Sequence, residues 1–128
     1  MTNEYVAGLF DGEGCVYIAK RLTSMQINIT QNTTGILQLL QNKFGGKITQ
    51  HTNGKGIKRD CWRWRMTNKQ EMLNFLNAIE PFVIIMKSDI AIALEFLADY
   101  TISKGYRKLT DSQRTNRQSM KNRLHEYN

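Results

Sequence analysis

Two carboxylates, Asp11 and Glu13, close a short apolar run, Val6-Ala7-Gly8-Leu9-Phe10, and are interleaved with Gly12 and Gly14. Val6 to Phe10 read as a helix on which Gly8 and Gly12 lie four residues apart and so share a face. Missing side chains on that face let a second backbone come close, and Ala7 widens the flat strip, so a partner helix is implied. Gly12 and Gly14 are expected to supply the unusual backbone angles that end the helix and turn the chain into an extended run. Glu13 then sits at a helix C-terminus, where the dipole opposes negative charge. A carboxylate there suggests a compensating cation, and a hard divalent ion such as Mg²⁺ takes oxygen ligands of this kind. The same residues also read as a Gly-rich helix cap with two solvated acids, and at this level both readings stand.

Hydrophobic periodicity indicates the elements that must hold this turn. Cys15 to Arg21 reads as a strand. Met25 to Gln31 reads as a second by alternation, with Met25, Ile27 and Ile29 apolar against Gln26, Asn28 and Thr30, and Leu22-Thr23-Ser24 is the turn between them. Thr34 to Phe44 has the spacing of an amphipathic helix stopped by Gly45-Gly46. Lys47 to His51 and Asp60 to Thr67 predict two more strands around a Gly- and Lys-rich loop. A helix from Lys69 to Ile79 ends before Pro81, a long apolar helix covers about Lys87 to Ser103, and Thr110 is the expected N-cap of a basic helix running to about Glu126. This order describes an α+β domain.

In the last strand Trp62, Trp64 and Met66 alternate with Arg63 and Arg65, so the tryptophans are expected in the core and the arginines outside. Counting outward positions on all four strands gives Tyr17, Ala19 and Arg21, then Gln26, Asn28 and Thr30, then Lys47, Thr49 and His51, then Arg63 and Arg65. These are residue types that read base edges: Arg for guanine, Asn and Gln for adenine. Lys55 and Lys58, at the loop tip, are placed to touch backbone phosphates. The formal net charge is +7, and the surplus gathers between Lys47 and Arg65 and from Lys104 onward. Two basic clusters suggest a polyanionic partner with salt-dependent affinity.

At 128 residues the chain is long enough for one domain with a real core. It contains no apolar run of about 18 residues and no signal-peptide pattern at its N-terminus, so a soluble, intracellular protein without a membrane partner is expected. Cys15 and Cys61 fit neither a zinc site nor a disulfide framework. The histidines and serines form no nucleophile–base or nucleophile-elbow arrangement, and no phosphate-cradling GxxxxGK[ST] loop supports ATP dependence.

Residues 6–14, Val-Ala-Gly-Leu-Phe-Asp-Gly-Glu-Gly, resemble the signature of the LAGLIDADG homing endonuclease family. The likeness continues through Ile29-Thr30-Gln31-Asn32 and Glu80-Pro81-Phe82, and one copy of the motif is present. The resemblance implies a single α-β-β-α-β-β-α domain over residues 1–128. It would carry a four-stranded antiparallel DNA-binding saddle, with residues 104–128 as a basic C-terminal helical extension. It implies an intron-encoded, Mg²⁺-dependent (or Mn²⁺-dependent) endonuclease that makes a staggered double-strand break. Gly12 and Glu13 would be metal ligands, and Gln31 would lie near the attacking water. The family's basic residue after the Pro-aromatic pair falls by counting on Met86, with Lys87 one step off, and Lys87 is the candidate. Since one motif brings one carboxylate, the resemblance implies a homodimer joined through Val6, Ala7, Gly8, Phe10 and Asp11, with Asp11 bracing rather than binding metal, on a pseudo-palindromic site. A second reading keeps the scaffold without cleavage, as an intron-splicing maturase with intron RNA as partner, or as a DNA-binding regulator. A third, a plain interaction domain with a basic surface, requires the motif match to be coincidence. The compartment could be a bacterial or viral-host cytoplasm or an organelle.

Overall fold

The chain passes from its first helix into its first strand with no intervening loop. In the computed structural model, which describes residues 1–50, 61–99 and 109–124, α1 (Asn3–Glu13) is followed at once by β1 (Gly14–Ile18). Thr2 starts the helix, its hydroxyl accepting the Tyr5 N–H at 3.1 Å. Gly12 is an ordinary helical residue, and Gly14 is extended, with φ −81° and ψ 156°. Neither supplies the unusual backbone angles expected of it. Gly14 is required for space instead, because a Cβ there would overlap the ring of Phe10. Left-handed glycines do end the second helix: Gly45 and Gly46 have φ 90° and 84°, as expected of a helix stop.

β2 (Met25–Gln31), α2 (Gly35–Phe44), β3 (Lys47–Gln50), β4 (Trp62–Met66) and α3 (Lys69–Ile79) follow, and α4 (Lys87–Asp99) and α5 (Asp111–Arg123) complete the order. The strands form one antiparallel sheet ordered β1-β2-β4-β3. One sheet face contributes Val16, Ile18, Ile27, Ile29, Trp64 and Met66 to the core, where they meet buried residues of the helices. Phe75 of α3 lies at the centre, edge-to-face with Phe10, Phe44 and Trp64 at centroid distances of 5.5, 5.0 and 5.3 Å. The Trp64 indole N–H donates to the Gly45 carbonyl at 2.8 Å, so this buried ring is satisfied at its polar end.

β1 ends three residues earlier than alternation predicts. The Leu22 N–H donates to the Ala19 carbonyl at 2.8 Å and the Ala19 N–H to that of Ser24 at 3.0 Å, so the turn already begins at Ala19. Arg21 therefore sits exposed in the turn and not on the strand face assigned to it. Leu22 adopts φ 63°, unusual for a branched residue, with its side chain buried against the core.

Val6, Ala7 and Phe10 are completely buried within the chain's own core, which overturns their expected place on a dimer interface. Asp11 is engaged internally as well. Its carboxylate accepts the N–H groups of Ile84, Ile85 and Met86 at 2.8, 3.2 and 2.9 Å, immediately before α4, where helix N-termini leave donors without partners. It braces α1 to the segment that opens α4. Of the expected interface residues, Gly8 alone is exposed.

α5 is docked on the domain. Its Thr110 cap and Gln113 form a capping box, and Met120 and Leu124 join the core. Arg117 is buried over Phe96, 5.1 Å from the ring centre. It donates to the Asp99 carboxylate at 3.1 Å, the Asp99 carbonyl at 3.2 Å and the Leu22 carbonyl at 2.9 Å. These bonds satisfy a charge that would be costly to leave unpaired.

The glycine geometry yields a paired prediction. Gly14→Ala is expected to lower stability by about 1–3 kcal/mol through overpacking against Phe10. Gly35→Ala, where a Cβ meets nothing within 4 Å, should be neutral or stabilising by up to about 1 kcal/mol. Thermal melting of the two variants decides it, and an unaltered midpoint for Gly14→Ala would contradict the packing account.

Candidate active site

The register of the sheet builds its outward face row by row. Cys15 pairs with Asn28, Asn28 with Arg65 and Arg65 with Lys47, giving one continuous row across all four strands. Thr30, Arg63 and Thr49 make the next row, and Tyr17 with Gln26 a third. The expected positions Tyr17, Gln26, Asn28, Thr30, Lys47, Thr49, Arg63 and Arg65 thus share one face. Ala19 and Arg21 lie beyond the strand end, and His51, Lys55 and Lys58 lie outside the described residues. No aspartate or glutamate occupies an outward position of the described strands. Lys47 stands directly opposite Arg65, a like-charge arrangement that disfavours the isolated fold.

Asn28 is only 7% exposed, so its amide is held among neighbours instead of projecting freely. Cys15, which pairs with it, is half-buried on the same face. Cys15 lies two residues before Tyr17 in β1 and therefore shares its polar face. Burial pushes the Cys15 thiol up, with the Arg63 guanidinium acting against that shift and Asp89 adding to it. The thiol is accordingly a neutral group in this row.

Glu13 ends α1 with its side chain exposed. Gly14 pairs with Ile29, so Gln31, two residues further along β2, lies at the same end of the sheet. Gly12 belongs to the last turn of α1, where carbonyls have no acceptor role left within the helix. Between the two candidates after Pro81, Met86 is completely buried with its N–H on Asp11, whereas Lys87 is exposed as the first residue of α4. The Asp11 brace therefore links the segment bearing Lys87 to the helix bearing Glu13. Among the described residues, no three or more His, Cys, Asp or Glu side chains cluster as a metal cage would require. One exposed carboxylate and nearby carbonyls suit an ion shared with a phosphate-bearing substrate, since Mg²⁺ commonly uses one or two carboxylates together with substrate oxygens and water.

Beside the C-terminal half of α1 the surface is apolar. Nothing lies within 4 Å of a Cβ built at Gly8 or Gly12. The braced segment presents Ile84 and Ile85 at 80% and 60% exposure, and Phe82 and Tyr5 are also exposed. Among the described residues, no helix is long and apolar enough to cross a membrane.

Comparison with known proteins bears on this geometry. A probable intron-encoded endonuclease, aI2, of Debaryomyces hansenii is 35% identical over 78 residues, 60% of this chain and 11% of the relative. The intron-encoded RNA maturase bI4 of Saccharomyces cerevisiae is 33% identical over the same share. The aligned stretch thus spans about a tenth of the length of these relatives. Among solved structures, the homing endonuclease I-CvuI in complex with its target superposes with a TM-score of 0.63 at 14% identity, covering 92% of this chain and 93% of that one. The meganuclease I-AabMI bound to uncleaved DNA gives 0.68 at 18% identity, covering 94% of this chain and 44% of that one. The α+β fold with its four-stranded antiparallel sheet is therefore that of these nucleases. Residues 6–91 match the model of the LAGLIDADG endonuclease family, and the chain belongs to that family of homing endonucleases and maturases.

Proposed function

We propose that residues 1–128 form one unit of a homing endonuclease that cleaves double-stranded DNA sequence-specifically, as a homodimer on a pseudo-palindromic site. The observation that carries this reading is the outward sheet face. Asn28, Arg65 and Lys47 share one row and Thr30, Arg63 and Thr49 the next, without an acidic residue, and the exposed Glu13 stands at the end where β1 begins. A repulsive basic row has no benefit to a free fold and a direct one to a protein that meets phosphates and guanine edges.

In this reading Arg63, Arg65, Asn28, Gln26, Thr30 and Thr49 read base edges in the major groove, while Lys47 and Tyr17 position the duplex. Glu13 and the Gly12 carbonyl would hold Mg²⁺ or Mn²⁺. When bound, the ion supplies charge stabilisation at the scissile phosphate and a more acidic attacking water. Gln31 orients that water by hydrogen bonding. Lys87 brings a positive charge to the phosphate as negative charge builds on it. One Glu13 per chain serves one strand, so a double-strand break takes two copies. The open Gly8 and Gly12 face, flanked by Tyr5, Phe82, Ile84 and Ile85, supports an isologous contact between them.

The similarity to an RNA maturase supports a second reading, in which the same surface binds nucleic acid, intron RNA included, without cutting it.

Four outcomes are expected. On DNA carrying the uninterrupted sequence of the locus that houses the gene, the protein should make a break in Mg²⁺ and none in EDTA. Glu13→Gln should lose on the order of a hundredfold or more in rate while its DNA affinity holds. Binding by both proteins with no break by either would favour the second reading. A Lys47→Ala, Arg65→Ala double variant should bind DNA more weakly yet melt no lower, gaining up to about 1 kcal/mol from relieved repulsion. If its DNA binding is unchanged, the face does not read DNA. In sedimentation the protein should run at twice the chain mass and Ile84→Lys at the chain mass, whereas a monomeric parent protein would sink the homodimer.

A further inference from the structure

A groove of about 700 Å³ separates the β1–β2 turn from α5, lined by Lys20 and Leu22 on one side and by Arg114, Gln118, Asn122 and Arg123 among others on the other. Among the described residues, no acidic side chain lines it. Arg123 pairs at 3.5 Å with Glu95, but Lys20 and Arg114 have no ion-pair partner among the described residues. The groove is held open by fixed parts. Arg117 bonds the Leu22 carbonyl at the turn and Asp99 at the end of α4, so α5 and the turn keep their spacing.

Position gives this groove its meaning. Gly14 pairs with Ile29 at the Glu13 end of the sheet and Ile18 with Met25 at the other. The β1–β2 turn is therefore one strand length, roughly 17 Å, from Glu13 along the sheet. β1 is an edge strand, and α5 lies beside it, with the Lys121 ammonium 5.9 Å from the ring centre of Tyr17 on the polar face. The basic groove thus lies beside the edge of the outward face, at the end remote from the reacting carboxylate.

We propose that the groove between α5 and the β1–β2 turn binds the phosphate backbone of duplex DNA flanking the sequence read by the sheet, through Lys20 and Arg114 and the neutral donors Gln118 and Asn122. The proposal rests on the sheet being a DNA-reading face and extends that footprint outward. Two cations on two phosphates give a salt-dependent increment without sequence preference, each contact steepening the logarithmic salt slope by about 0.9.

The test uses the whole protein and two duplexes of the locus sequence. One is trimmed to the limits of the sheet's footprint, and the other is extended by about one helical turn, ~10 bp, on each side. The parent protein should bind the longer duplex more tightly. A Lys20→Gln, Arg114→Gln variant, both positions being exposed and remote from the core, should match it on the short duplex and lose the flank increment. Its salt slope on the long duplex should be shallower by about 1.8 per chain, or about 3.6 for the dimer, so that between ~50 and ~200 mM salt it loses on the order of a hundredfold less affinity than the parent. Equal binding of both duplexes by the parent overturns the groove and leaves the sheet reading intact. Failure to bind either duplex would remove the reading on which it rests. A variant deficient only towards the host intron RNA overturns the DNA assignment in favour of RNA. Melting of the variant at the parent's temperature is the folding control, and a lowered midpoint would assign these side chains a structural role instead.

Discussion

The candidate site depends on a junction with no slack. Glu13 is the last residue of α1 and Gly14 the first of β1, so the backbone of Glu13 is fixed from both sides. On one side Val6, Ala7 and Phe10 lock the helix into the core. On the other, the pairing of Gly14 with Ile29 locks the strand into register. A loop of even a few residues would let the carboxylate wander, and sites built on regular elements hold their geometry better than sites on loops. The junction is possible because position 14 lacks a side chain, which lets the Phe10 ring lie directly against the turning backbone. Glu13 can then be exposed and still be well placed.

In the proposed reading, the sheet divides stability and recognition between its faces. On the inner face Ile27, Ile29, Trp64 and Met66 are sealed under the helices, and the aromatic contacts around Phe75 tie α1, α2, α3 and β4 together. That stability lets the outer face hold Lys47 opposite Arg65 despite the repulsion. Local conflicts of this kind mark functional surfaces, where a fold gives up some of its optimum. The near-burial of Asn28 in the same row limits its rotamers, so its donor and acceptor are held in a fixed orientation.

Much of this was legible in the sequence, because alternation and helical spacing report burial directly. The Trp62-Arg63-Trp64-Arg65-Met66 run announces both faces of β4, and the α3 helix and the Thr110 cap fall where spacing and capping chemistry put them. What stayed hidden depended on tertiary contacts. A glycine needed for a conformation and one needed for space look alike in sequence, and only the Phe10 ring against Gly14 tells them apart. The apolar strip Val6-Ala7-Phe10 could serve a partner or the core, and only the sheet packed beneath it decides. Arg21 was lost from the strand because Leu22 turns early, drawn by its buried side chain and by the Arg117 bond to its carbonyl. Cys15 shares the parity of Tyr17, so its face is legible in the sequence, but its partial burial beside Asn28 is not. Asp11 could not be matched to its partners, which lie more than seventy residues away.

That last contact explains how assembly and chemistry can be linked. The two acids of the motif have divided roles: Asp11 is fully engaged by three main-chain N–H groups, and Glu13, two residues on, faces solvent. By capping the segment before α4, Asp11 sets Lys87 relative to the end of α1. The same three bonds hold Ile84 and Ile85 outward beside the open Gly8 and Gly12 face. One brace therefore fixes both the apolar surface suited to a second copy and the charged groups suited to a phosphate. Any displacement of the segment that disturbed the contact between copies would also displace Lys87 from the Glu13 end of the helix. In such an arrangement a chain with a single reactive carboxylate acquires its complement of two in the same event that aligns them.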